Sequence, residues 1–172
     1  MKATGAAVIL AAPTVADRSR VRPMVEATGV FRTDEIDVAV EVFDDAVARP
    51  GIDYHGLGAY DGDRLVGFTL FGKTPCTVAT WDLYWIVVDP ALHRGGVGRQ
   101  LMAAAEQAIT RDGGRLIVVE TSSRDDYAPT RAFYESLEYD RASEIAHYYA
   151  PDDHLIVYTK LLDPPDTVGH YG

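Results

Sequence analysis

The stretch Val88-Asp89-Pro90-Ala91-Leu92-His93-Arg94-Gly95-Gly96-Val97-Gly98-Arg99 decides how the rest of the chain is read. It follows Thr77 to Val88 (TVATWDLYWIVV), a β-branched and aromatic run that predicts a central strand buried on both faces and ended by Asp89-Pro90. It precedes a helical period in which Val97, Leu101, Ala105, Ala108 and Ile109 share one stripe, stopped by Gly113-Gly114. Glycines at such a junction let a ligand approach the backbone closely. The unbonded N–H groups of the helix's first turn, with the helix dipole behind them, make an anion site. Arg94 and Arg99 add positive charge there. A dinucleotide fingerprint is excluded because its third glycine position is Leu101, and a P-loop because no Gly-Lys followed by Ser or Thr is present. Taken alone, the segment reads equally well as a tight turn whose glycines serve only geometry.

Upstream, Ala7 to Leu10 reads as a first buried strand closed by Pro13; Gly5 to Ala12 behind Lys2 also has the form of a short signal peptide, but the strand is the better reading. Asp17 to Gly29 has helical spacing, and a second helix runs from a Thr33-Asp34-Glu35 cap to the break at Pro50-Gly51. Leu57 to Tyr60 and Arg64 to Phe71 flank Asp61-Gly62-Asp63 as a hairpin. Downstream come a short strand from Leu116 to Glu120, a helix from Tyr127 to Leu137, and strands from Ala142 to Ala150 and Leu155 to Leu162. This order predicts an α/β class fold, a mixed sheet with helices on both faces. The length of 172 residues fits one domain, at about 150 residues each. That domain is expected over residues 1–162, with a flexible tail over 163–172 around Pro164-Pro165.

Charge narrows the function. With 16 Lys plus Arg against 26 Asp plus Glu, the formal net charge is −10. That sign speaks against gripping nucleic acid or an anionic membrane and favours cationic partners. No apolar run approaches the ~20 residues of a membrane span. A single cysteine, Cys76, and the absence of zinc-ligand spacing point to a reducing compartment, so a cytoplasmic, metal-free protein is expected.

Two motifs carry a resemblance. Pro90, then Gly96 and Gly98, behind Ile86-Val87-Val88, resembles the acetyl-CoA loop of the GCN5-related N-acetyltransferases (GNAT), in which Gln or Arg, two free positions, Gly, one free position and Gly or Ala cradle the pyrophosphate; the Gln/Arg position is His93 here, with Arg94 beside it. Downstream, Ala132-Phe133-Tyr134-Glu135-Ser136-Leu137-Glu138-Tyr139 is similar to the family's Leu-Tyr-Glu-x-x-Gly-Phe, with Glu138 in place of glycine and Tyr139 in place of phenylalanine. The asparagine that often opens that helix is Tyr127. Asp82-Leu83-Tyr84-Trp85-Ile86, Glu120-Thr121-Ser122-Ser123 and Tyr148-Tyr149-Ala150-Pro151 resemble a bacterial branch of the family.

The resemblance implies the GNAT fold and transfer of an acetyl group from acetyl-CoA, as co-substrate, to a primary amine by direct attack. It assigns the donor to backbone groups of Ile86, Val87 and Val88 and to the loop residues His93, Arg94, Gly95, Gly96, Val97, Gly98 and Arg99. Tyr134 falls at the family's general-acid position, where a phenol of pKa ~10 suits a leaving thiolate. Tyr127, Arg131 and Tyr134 fall at i, i+4 and i+7 on one helix face, placing a cation near the CoA phosphates. An alkyl ammonium, pKa ~10.4, has to lose a proton before attack, and the candidates are Glu120, Asp82 or a water chain with no single base. Phe31, Tyr54, His55, Trp81, Tyr84, His147, Tyr148 and Tyr149 are candidate acceptor contacts. Family members often pair, so a homodimer is expected. The contrasting expectation is a silent domain that binds acyl-CoA and regulates without turnover; His93 and Glu138 are the features it would explain.

Overall fold

A computed structural model describes residues 7–162; the expected tail lies outside the described residues. Seven strands form one sheet in the order β1-β2-β3-β4-β5-β7-β6: β1 Ile9–Ala11, β2 His55–Asp61, β3 Arg64–Lys73, β4 Thr80–Val88, β5 Leu116–Ser122, β6 Asp140–Ala150 and β7 Asp153–Leu161. Every pairing is antiparallel except β4 with β5. Four helices accompany them: α1 Arg18–Ala27, α2 Thr33–Ala48, α3 Val97–Arg111 and α4 Ala128–Ser136.

The helices divide between the faces as the periodicity predicts. Strand residues alternate sides, so Phe68, Leu70, Trp85 and Val87 meet α1 and α2 through Val21, Val25, Val40 and Phe43. On the opposite face Phe71, Trp81, Leu83, Ile117 and Tyr158 meet Met102, Ala105 and Ile109 of α3 and Tyr134 of α4. Each large side chain fully removed from water contributes about 1.5–3 kcal/mol, so these two layers hold the sheet between them.

Three expectations need correction. The first strand is Ile9–Ala11, an edge strand with Ile9 67% exposed, since β1 has a neighbour on one side only, while Leu10 packs from its other face against the cluster of Ala59, Val66, Val97 and Leu101. The second helix is capped by Arg32, not Thr33: the Arg32 N–H donates to Glu35 at 2.8 Å. The central strand begins at Thr80 rather than Thr77, and it is buried on both faces only in its first half.

That last difference creates the site. β4 pairs with β5 from Thr80 to Leu83, opposite Leu116 to Val119, and no further. Tyr84 is skipped in the register with β3, where Leu70 faces Trp85 and Phe71 faces Leu83, a bulge that bends β4 away from β5. Beyond it β5 continues through Glu120 to Ser122 beside β7 alone. The sheet therefore parts into a V whose walls are the end of β4 and the end of β5.

Candidate active site

The V opens into a cleft of about 1130 Å³ lined from every side: the α1–α2 loop, β4, the loop and first turn of α3, β5, the β5–α4 loop, α4 and Tyr149 of β6. At one end the backbone is the lining. Asp89 N–H donates to the Val66 carbonyl at 2.8 Å, which fixes the antiparallel alternation: residues 85, 87 and 89 turn their polar groups to β3, while Ile86 and Val88 turn theirs to the gap. Val87 lines the cleft as well, but its N–H and C=O are used within the sheet, so it offers a ligand no backbone group. The Val88 carbonyl accepts from Nε2 of His93 at 2.9 Å, leaving the Ile86 groups and the Val88 N–H for a ligand.

After the short 3₁₀ turn Pro90–Leu92, Arg94 adopts φ +64° and Gly96, the N-cap of α3, adopts φ +83°. A left-handed N-cap tolerates glycine best. The first intrahelical bond runs from Gln100 N–H to Gly96 C=O at 3.1 Å, so the N–H groups of Val97, Gly98 and Arg99 precede any helical acceptor. Gly98 is favoured by proximity: a Cβ there would lie 3.3 Å from the ring of Phe133, a tight contact that the ring would have to yield to. Gly95 does not line the cleft; its N–H closes the turn on the Leu92 carbonyl at 3.1 Å. Arg94 and Arg99 line it, Arg99 steadied by Ser136 Oγ at 2.9 Å. Arg131 is a second correction. Its Nη1 donates to the carbonyls of Ser122 and Arg124 at 2.7 and 2.9 Å, so it shapes the β5–α4 loop and does not face the cleft.

Tyr134 stands at the junction of the two walls, 3% exposed, packed among Phe133, Tyr139 and Tyr158. It lines the cleft, and its hydroxyl makes no hydrogen bond among the described residues; burial first, then Tyr127, raises its pKa. Tyr127 is buried and forms a side wall, edge-on to Phe31 at 6.3 Å. Phe31 in turn meets Trp85 at 5.0 Å. Arg124 Nη2 donates to the Val30 carbonyl at 2.5 Å, joining the α1–α2 loop to the β5–α4 loop across the cleft.

The far end is built of side chains. Glu120 faces the cleft, its pKa raised by burial and then by Asp82. Asp82 itself does not line the cleft, and its Oδ2 accepts from Thr74 Oγ1 at 2.7 Å. Of the expected acceptor contacts, Phe31, Tyr84 and Tyr149 line the cleft. Burial and Asp82 push the Tyr84 phenol up to about 12. Trp81 is core and His55 stacks on Phe71. Tyr54 rests edge-on against Tyr84, and His147 and Tyr148 lie on the outer strand. Sequence reasoning missed Glu35, Trp85, Arg124 and Asp153 as lining residues. Among the described residues no helix is long and apolar enough to cross a membrane, and no group of three metal-ligating side chains is present.

A sheet parted beside a run of unbonded amides makes a cleft suited to an anionic, amide-bearing ligand, and comparison with known proteins supplies the family. The model of the acetyltransferase (GNAT) family matches residues 24–139. A GNAT-family protein of Desulfovibrio desulfuricans superposes with a TM-score of 0.86 at 36% identity, over 90% of this chain and 99% of that one. The ribosomal-protein-S18-alanine N-acetyltransferase of Escherichia coli follows the same fold with a TM-score of 0.75 at 17% identity, over 96% and 100%. A Salmonella typhimurium protein solved with its cofactor acetyl-CoA gives 0.73 at 18%, over 95% and 99%. No curated protein matches the chain significantly in sequence. The chain belongs to the GNAT acetyltransferase family.

Proposed function

We propose that the chain transfers an acetyl group from acetyl-CoA to a primary amine by direct attack. The observation that carries this reading is the parting of β4 from β5 beside the unbonded N–H groups of Val97, Gly98 and Arg99. The residues present fit such a donor: amides, Arg94 and Arg99 suit its phosphates, and the free polar groups of Ile86 and Val88 suit an amide-bearing arm. His93, Gly96 and Tyr127 complete that half of the cleft. The donor supplies an acyl group already activated as a thioester.

The protein's own groups do the rest. A backbone N–H of the parted strand stabilises negative charge on the carbonyl oxygen as the amine adds, an effect worth about 2.7–4 kcal/mol where one preorganised donor has been removed elsewhere. Tyr134, held in its protonated form by burial, gives its proton to the departing sulfur. Glu120 takes the proton of the incoming ammonium; its raised pKa makes it a better base than a solvated carboxylate. Asp82 contributes by its charge. The exposed Cys76 supports a reducing, cytoplasmic setting. The outer strand β6, exposed along nearly its whole length, supports pairing as a homodimer.

Calorimetry with CoA and thiol release from acetyl-CoA against an amine panel test the reading. Binding without turnover on any amine would leave an acyl-CoA sensor; no binding at millimolar CoA would overturn the donor site.

A further inference from the structure

The carboxylates that line the acceptor half of the cleft are not equivalent. Asp34 pairs with the Arg32 guanidinium at 3.2 Å, and Glu35 accepts the Arg32 backbone N–H at 2.8 Å with the guanidinium 3.9 Å away. Asp126 pairs with Arg124 at 3.1 Å. Glu120 and Asp153 form no ion pair among the described residues. Arg32 lies within electrostatic reach of Asp153, but its guanidinium is already bound to Asp34.

These two acids are neighbours by construction. Glu120 and Ser122 point to the same face of β5, two residues or about 7 Å apart. The Ser122 hydroxyl donates to Asp153 Oδ1, which seats the second carboxylate beside that position. Asp153 is only 5% exposed and still lines the cleft. A largely buried carboxylate without a direct ion pair is costly and is relieved when a cation binds. A ligand in this cleft is indicated independently by Tyr134, 3% exposed, whose unpartnered hydroxyl faces the same space.

We propose that the acceptor is a flexible aliphatic dication carrying two amino groups: the reacting amine meets Glu120 while a second ammonium is held by Asp153. This rests on the acetyl-transfer reading and adds to it the acceptor class and a specificity residue. A peptide with a single N-terminal ammonium satisfies only one of the two carboxylates.

The test is thiol release from acetyl-CoA with α,ω-diamines of increasing chain length, monoamines of matched length, and a short peptide. A favoured diamine should exceed its matched monoamine in kcat/KM by about tenfold, the strength of a charged hydrogen bond. Diamines shorter or longer than the favoured length should lose that advantage. Asp153→Asn should bring the diamine-to-monoamine ratio close to one, with the KM for acetyl-CoA held. Equal rates for diamines and monoamines, a proportional loss of both in Asp153→Asn, or a peptide faster than every diamine overturns the dication. If Asp153→Asn does not fold, the wild-type length profile decides alone. Calorimetry with CoA separates the layers: turnover without diamine preference overturns this inference only, whereas no CoA binding and no turnover overturns both.

Discussion

The two ends of the cleft are made of different material. The donor end is backbone: the alternating polar groups of Ile86 and Val88, the unbonded amides of α3's first turn, and glycines that keep side chains out of the way. The acceptor end is side chain, with carboxylates and aromatic rings brought in by the α1–α2 loop, β4, β5, the β5–α4 loop and the β6–β7 edge. A backbone site recognises a constant ligand, because its geometry cannot be altered without refolding the segment. A side-chain site can be changed residue by residue on an unchanged scaffold.

The largest test of this division falls where the ends meet. Tyr134→Phe keeps the ring and its packing but removes the only proton it can give, so kcat should drop about 100-fold or more while CoA affinity is kept. An unchanged kcat would remove Tyr134 from the chemistry and leave it as core. On the acceptor side alone, Glu120→Gln should lower kcat/KM at neutral pH by roughly tenfold to 100-fold. Wild-type kcat/KM should rise with pH as Glu120 loses its proton, with the limb displaced above the usual carboxylate range by burial and by Asp82; the variant should lack that limb.

On the donor side alone, Gly98→Val should raise the Kd for CoA about tenfold or more. Its Cγ atoms have to displace either Phe133 or the ligand, and overpacking of this kind costs about 1–3 kcal/mol. The KM of the amine should hold. If both constants move together, the two ends are coupled and the comparison fails.

The same contrast explains what could be read before folding. The donor end was legible because a left-handed N-cap and a close backbone approach favour glycine, and both leave a fixed spacing in Gly96 and Gly98. Element order followed for a similar reason, since the helical stripes and β-branched runs report burial directly. The acceptor end was not legible. Asp153 joins Glu120 only through the β5–β7 register and the Ser122 hydroxyl, and neither has a local signature. Arg131 misled because helical spacing places residues on a face without saying what lies opposite; here two loop carbonyls do. Val87 misled because membership of a strand end does not reveal which residues turn their amides inward, a matter settled by pairing with Val66 and Phe68. The parting of β4 depends on the Tyr84 bulge, and an unbroken aromatic run in the sequence gives no sign of it.

A smaller effect separates charge from conformation in the donor loop. Arg94 carries a positive φ of 64° that glycine would accept without strain, so Arg94→Gly should stabilise the fold by about 0.5–1 kcal/mol. The lost charge should nevertheless raise the KM for acetyl-CoA by about threefold. Arg94→Glu should raise it further, still without moving the KM of the amine. A larger change in the amine's constant would show that the donor has been placed at the wrong end.

The smallest effect is thermodynamic and belongs to the acceptor end. The pKa of Glu120 is raised in the folded chain, so the fold holds its proton more tightly than the unfolded chain does. Below the unfolded pKa the group is protonated in both states and has no effect on stability. As pH rises through the folded pKa, ionisation beside Asp82 opposes folding. Glu120→Gln removes that opposition, so its Tm at pH 7 should exceed the wild type's by about 1 °C, an effect kept small by the solvent that reaches the carboxylate. The gain should fade as pH drops below the usual carboxylate range. Melting curves across that interval check the sign, and a variant less stable than wild type at pH 7 would mean that Glu120 holds the fold together instead of standing in the cleft at the fold's expense.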